Sequence, residues 1–224
     1  MPTDTFKRRF LLYILLTWLL PPLFGVSLVV FLGMFTVEEF ALVARGSGFG
    51  LFAIGSLIFA LWYFNRFSRP WLEYLRQPTD ANSDRALQQL RRFSLHYWGL
   101  FALTMAGRPS FILISVEPVL GRVATAEDWL RIHLVLLIVF ILIGLPLFLR
   151  ISDLLGQKLG GMKLQCPRLS IKAKLFLIGS LAPLLLNTIL VLYYWSRTAY
   201  FAAETLVVWL LLELMAIGGT LLFV

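Results

Sequence analysis

Six separate stretches of this sequence are apolar for long enough to cross a lipid bilayer: about 10–34, 48–65, 93–116, 129–149, 175–195 and 204–224. Roughly 20 apolar residues in helical form cover the ~30 Å of hydrocarbon. Lipid offers no partner for a backbone N–H or C=O, so each stretch has to be helical. The expected fold is therefore all-α: a polytopic membrane protein of six transmembrane helices. Composition agrees, with 59% hydrophobic and 14% charged residues among 224, where a soluble domain carries about a quarter charged. A soluble globular enzyme, a disordered tail and a disulfide scaffold are excluded. Cys166 is the single cysteine, and there is no CxxC motif or Cys/His cluster for zinc.

The first stretch follows Lys7, Arg8 and Arg9, as a signal peptide would. Phe10–Phe35 is too long for such a segment, contains Pro21 and Pro22, and lacks a small-x-small cleavage site, so it reads as a retained anchor.

Lysine and arginine set the expected orientation. Three lie in 1–9, six in 65–92 and six in 150–174, against Arg45, Arg122, Arg131 and Arg197 in the alternate loops; that makes fifteen against four, with Arg108 inside a span. The chain is expected in the cell inner (plasma) membrane with both termini cytoplasmic. The net charge of +8 points to an anionic leaflet, with membrane lipids as partners and no nucleic acid.

A threefold rhythm runs through the spans. Arg8-Arg9 precede Pro21-Pro22, Arg91-Arg92 precede Pro109, and Lys172 and Lys174 precede Pro183. The predicted unit is a hairpin, repeated at about 1–76, 84–160 and 171–224 within one membrane domain. Between hairpins, Pro70 is followed by Trp71, Leu72 and Leu75 at helical spacing, and Asp84–Arg92 forms a second basic amphipathic segment. Ile151, Leu154, Leu155 and Leu159 repeat the pattern. These segments are expected to lie on the inner leaflet, with packing against a neighbouring chain as the alternative.

Ionisable groups at mid-membrane are costly and ask for a reason. Counted at 1.5 Å per residue, Glu213 lies roughly 13 Å below the outer surface and Asn187 roughly 19 Å above the inner one, nearly the same depth. They are predicted to face the bundle interior and share a hydrogen bond. Ser180, Asn187 and Tyr194 repeat at seven residues, as do Leu206, Glu213 and Thr220. Glu213, Asn187, Ser180 and Thr220 are thus the candidate intramembrane polar site. Its roles are ranked as interhelical glue, then a pocket for a small apolar or lipid ligand, then a proton relay.

Arg108 sits between Gly107 and Pro109, near the outer interface. It is expected to snorkel outward and pair with Glu117, binding of an acidic headgroup being the alternative. Gly46, Gly48, Gly50, Gly55 and Ser56 give the second span a small-residue face for close packing. His96 and His133 fall near opposite leaflets, so one chain cannot clamp a haem iron with both. Trp18, Trp62, Trp98, Trp129, Trp195 and Trp209 read as an aromatic belt. No catalytic, cofactor-binding or metal-binding motif is read, and no cofactor is expected.

The passage from a span through Ser68-Arg69-Pro70 into a short amphipathic helix resembles the exit of a bacterial receptor hairpin into a HAMP linker. Three hairpins in tandem, with the segment Lys174–Val224, resemble the six-helix membrane domain of bacterial HAMP-linked class III adenylate/guanylate cyclases. The resemblance implies a membrane anchor and sensor that signals through its last helix to a cytoplasmic nucleotide cyclase making cAMP, as a homodimer. The last span lacks the basic flank of the other inner ends, so the chain is expected to be the membrane part of a longer protein, with a natural C-terminus as the alternative. The competing class is a small transporter or substrate-binding membrane subunit, which would carry a midplane cavity with several convergent polar groups.

Overall fold

The computed structural model describes residues 3–46, 48–159 and 182–198, together with Val207, Trp209, Leu210, Leu211 and Leu214. All of the regular structure among them is helical. The elements are α1 (Thr3–Phe31), α2 (Val37–Gly46), α3 (Phe49–Phe67), α4 (Arg69–Arg76), α5 (Asp80–Ile114), α6 (Val116–Leu120) and α7 (Ala126–Val139). A π-helical turn, Phe140–Gly144, joins α7 to α8 (Leu145–Leu159), and α9 spans Ala182–Thr198.

Among the described residues, four helical stretches are long and apolar enough to cross a membrane: Thr3–Phe31, Phe49–Arg76, Asp80–Leu120 and Ala126–Leu159. Pro183–Trp195 is a shorter apolar helix, and most of 204–224 lies outside the described residues. Leu51, Leu95 and Leu103 are more than 70% exposed on these helices. Such faces are stable against lipid and costly against water. The chain is a helical membrane protein.

The four long stretches form a bundle. α1 packs against α3 and against α7 and α8; α5 packs against α3 and against α7. Consecutive helices are therefore neighbours in an up-and-down arrangement, and α1 faces α5 across the diagonal. Lysines and arginines from the start of α1, the end of α3, α4, the start of α5 and the end of α8 gather at one end of the bundle. The other end carries α2 and α6, which pack on each other. α9 returns to that second end, where Tyr193 stacks on Phe31 of α1 at 5.5 Å and Trp195 lies under the Arg131 guanidinium of α7 at 4.5 Å.

Three sequence expectations are corrected at the basic end. α5 begins at Asp80, so Asp84–Arg92 continues the third span as one 35-residue helix. The start is fixed by Thr79, whose side chain accepts from Asn82 N, and no glycine or proline stands between Asp80 and Trp98. Ile151–Leu159 likewise continues the fourth span as α8. The apolar face of α4 packs on the bundle rather than facing lipid: Trp71 is fully buried and its Nε1 donates to the Ala86 carbonyl at 3.2 Å. Its ring meets Phe10 edge-on at 5.5 Å. A sequence period shows that one face of a helix is apolar, and here the bundle itself supplies the apolar partner.

The expected aromatic belt is corrected at Trp18. Trp62 does face outward, 56% exposed, but Trp18 is buried in the core. It packs on Phe101 at 5.6 Å and on Tyr97 at 5.9 Å, both near-perpendicular. Lipid tails remove most of the hydrophobic drive between helices, so packing of this kind and buried hydrogen bonds hold the bundle. Edge-to-face aromatic pairs contribute about 0.5–1.5 kcal/mol each, and three rings reach across the α1–α5 diagonal.

The π turn has a local cause. Pro146 has no N–H to return to the Leu142 carbonyl, and its ring crowds that position. The Leu145 N–H reaches back five residues to Phe140 O instead.

Candidate functional site

Three of the prolines picked out by the sequence rhythm converge on one place. Pro21 and Pro22 on α1 and Pro109 on α5 all line a partly open cavity of about 60 Å³ in the bundle interior. Each proline deprives the carbonyl four residues earlier of its helical partner, at Thr17, Trp18 and Met105. Val135 and Val139 of α7 close the third side, and Phe140, the first residue of the π turn, also contributes. Phe40 of α2 and Phe49 of α3 border it from the end opposite the basic one. Gly25 lines the cavity as well, and a Cβ there would meet nothing within 4 Å.

Of the seventeen residues lining this space, Arg108 alone carries a charge. The expectation that it snorkels outward and pairs with Glu117 is overturned. Arg108 is 4% exposed. It donates from Nη2 to Ser56 Oγ on α3 at 2.9 Å and from Nη1 to Met105 Sδ at 3.3 Å. Glu117 is exposed on α6, one turn before Gly121 ends that helix at φ +68°. Proximity along the chain favoured the pair, whereas the direction of the side chain on α5 sends the guanidinium inward. Ser56 is held in turn by donating to the Ala53 carbonyl at 2.9 Å. Among the described residues no carboxylate lies within ion-pairing distance of Arg108, and its buried Nε has no partner.

The small-residue face is reassigned too. A Cβ at Gly46 would lie 2.8 Å from Val119, so this glycine permits close approach of α2 and α6; Gly50 and Gly55 face open space. Gly48 is needed for its φ of +67° at the start of α3.

Of the predicted intramembrane polar site, Asn187 is half-buried on α9. Ser180, Glu213 and Thr220 lie outside the described residues, and so does the expected Asn187–Glu213 hydrogen bond. The histidines sit at opposite ends. His96 bonds the Tyr63 hydroxyl through Nδ1 beside Phe67, while His133 stacks on Trp129 at 5.7 Å. No group of His, Cys, Asp and Glu that could hold a metal ion occurs among the described residues.

A polar seam adjoins the cavity on its basic side. The hydroxyls of Thr17 and Tyr97 are 3.2 Å apart, and the Tyr97 hydroxyl donates to the Gly144 carbonyl at 3.4 Å. This links α1, α5 and the π turn. The sequence carried a signal for the cavity in its recurrent prolines, but none for the inward turn of Arg108.

No family model, curated protein or solved structure matches this chain.

Proposed function

We propose that this chain is the membrane anchor and sensor part of a signalling protein, taking a small apolar or lipid ligand in the cavity between α1, α5 and α7. The observation that carries this reading is the shared boundary of the cavity and the π turn at Phe140. A π turn holds one residue more than an α turn, so restoring α geometry rotates the helix beyond it by about 100°. α8 runs from there to the basic end. A ligand that fits one packing better than the other shifts the balance between them.

The excess of positive charge supports a cytoplasmic position for the basic end and both termini, at the inner membrane. Six crossings complete the scheme, α9 being the fifth and 204–224 the sixth. The last helix passes the change to a cytoplasmic effector, which by resemblance is a HAMP-linked nucleotide cyclase, in a homodimer. Proline breaks beside a cavity in the bundle interior also favour a second reading, a small transporter. One charged group with a wholly apolar wall supports recognition of an amphiphile better than passage of a polar solute.

The test is a reporter enzyme fused after Val224 and exposed to dodecanol, dodecanoate and a diacylglycerol. A change in output in the parent chain that Gly25→Leu abolishes is the expected result. An unresponsive parent, or a Gly25→Leu chain responding as the parent does, overturns the sensor reading. Carriage of the same compounds across proteoliposomes identifies a transporter.

A further inference from the structure

A guanidinium in an apolar interior is strongly destabilising unless an anion compensates it. Arg108 is 4% exposed, its neighbours in the cavity wall are apolar, and its two bonds go to a neutral hydroxyl and a thioether. Those bonds use two of the five N–H donors of an arginine, and the buried Nε–H is without a partner among the described residues. The geometry points to Arg108 as the anchor for the anionic head of an amphiphile, a carboxylate or phosphate on an apolar tail. This rests on the cavity being the ligand site.

The chemistry of the site sets the ligand class. The planar donor fork matches the two oxygens of a carboxylate or phosphate. The seventeen-residue wall holds no second charge, so a hydrophilic anion would lose its hydration without compensation, whereas a tail is at home there. The cavity, about 60 Å³, is smaller than the roughly 150 Å³ space that admits benzene. It takes a compact head and the first methylenes, with the rest of the tail leaving toward the bilayer.

The experiment uses the full chain in discs of neutral lipid, at a pH where fatty acids are ionised, and compares binding of dodecanoate with that of its uncharged methyl ester. A hydrogen-bonded charge pair should favour the carboxylate by about tenfold or more. Arg108→Gln should remove that preference and Gly25→Leu should block both compounds. Should Arg108→Gln not fold, Arg108→Lys serves: it keeps the charge but loses the fork, so it should weaken dodecanoate binding and retain a preference over the ester. Equal binding of acid and ester to the parent chain overturns the anionic-head inference and leaves the cavity reading standing. Absence of binding by either, or binding that Gly25→Leu leaves intact, overturns the cavity reading and the inference with it. A gain in dodecanoate binding in Glu213→Gln would show that the chain's own carboxylate occupies the guanidinium, and would overturn the inference too. Discs containing phosphatidylglycerol identify the source: competition with dodecanoate assigns the site to a bilayer lipid headgroup, and its absence to a free single-chain amphiphile.

Discussion

The indole Nε1 of Trp18 on α1 donates to Thr104 Oγ1 on α5 at 3.1 Å, across the diagonal of the bundle. Thr104 is itself fixed by donating to the Leu100 carbonyl at 2.9 Å. The pair sets the spacing of the two proline-broken helices just on the basic side of the cavity, with Phe101 packed against the same indole.

Thr104→Val keeps the shape and removes the acceptor, leaving a buried indole N–H unpaired. Unfolding in mild detergent should show a loss of about 1 kcal/mol, since intramembrane hydrogen bonds average only about 0.6 kcal/mol while orphaned donors cost somewhat more. Trp18→Ala should cost more, about 3–5 kcal/mol, because it also deletes three ring contacts. A larger effect from the threonine would show that polarity rather than packing holds the diagonal.

Gly144 closes the π turn against Phe101, whose Cζ lies 3.0 Å from where a Cβ would be. Gly144→Val should destabilise by about 1–3 kcal/mol through overpacking, and a smaller side chain at 101, as in Phe101→Leu, should recover part of that loss. Additive effects of the two substitutions in a double-mutant comparison would contradict the contact.

Trp71 should anchor α4, and Trp62, earlier on the same helical stretch, should not matter to the fold. Trp71→Ala removes a fully buried ring and should cost about 3–5 kcal/mol, with faster proteolysis in the turn at 77–80. Trp62→Ala, on a lipid-facing surface, should stay within about 0.5 kcal/mol. Equal sensitivity of both would mean that α4 is held by the leaflet.

Asp128 caps the start of α7, ahead of the apolar stretch from Trp129. Burial pushes its carboxyl up, but hydrogen bonds from the Thr125 backbone and hydroxyl together with the charge and bond of Arg122 outweigh this and hold it below the usual range. A carboxyl depressed in the fold adds stability above its unfolded value of about 3.9 and loses it as pH falls through the folded one. The stability difference between the parent chain and Asp128→Asn should therefore be full at neutral pH and shrink below about pH 3.9. A difference that is constant with pH would remove Asp128 from the cap's energetics.

Much of the path of the chain was legible in its residues. Pro70 marks the start of α4, whereas nothing in the run from Asp84 distinguishes a separate surface segment from the first turns of α5. The prolines at 21, 22 and 109 marked a common feature without saying that they meet. The tryptophans were harder to read: Trp18 and Trp62 look alike in sequence, and one is core while the other faces lipid.

That the chain is helical, and that long apolar helices run through the first four of the six apolar stretches, could be read from the residues. Those properties come from hydropathy and backbone hydrogen bonding, which act over neighbouring positions. Only the packed bundle settled that α1 faces α5, that α4 folds onto its neighbours, and that Arg108 turns inward to Ser56 rather than outward to Glu117. Each of these depends on the rotation of one helix against another. In a chain apolar on nearly every face, no periodicity records that rotation, and the packing of particular side chains has to set it.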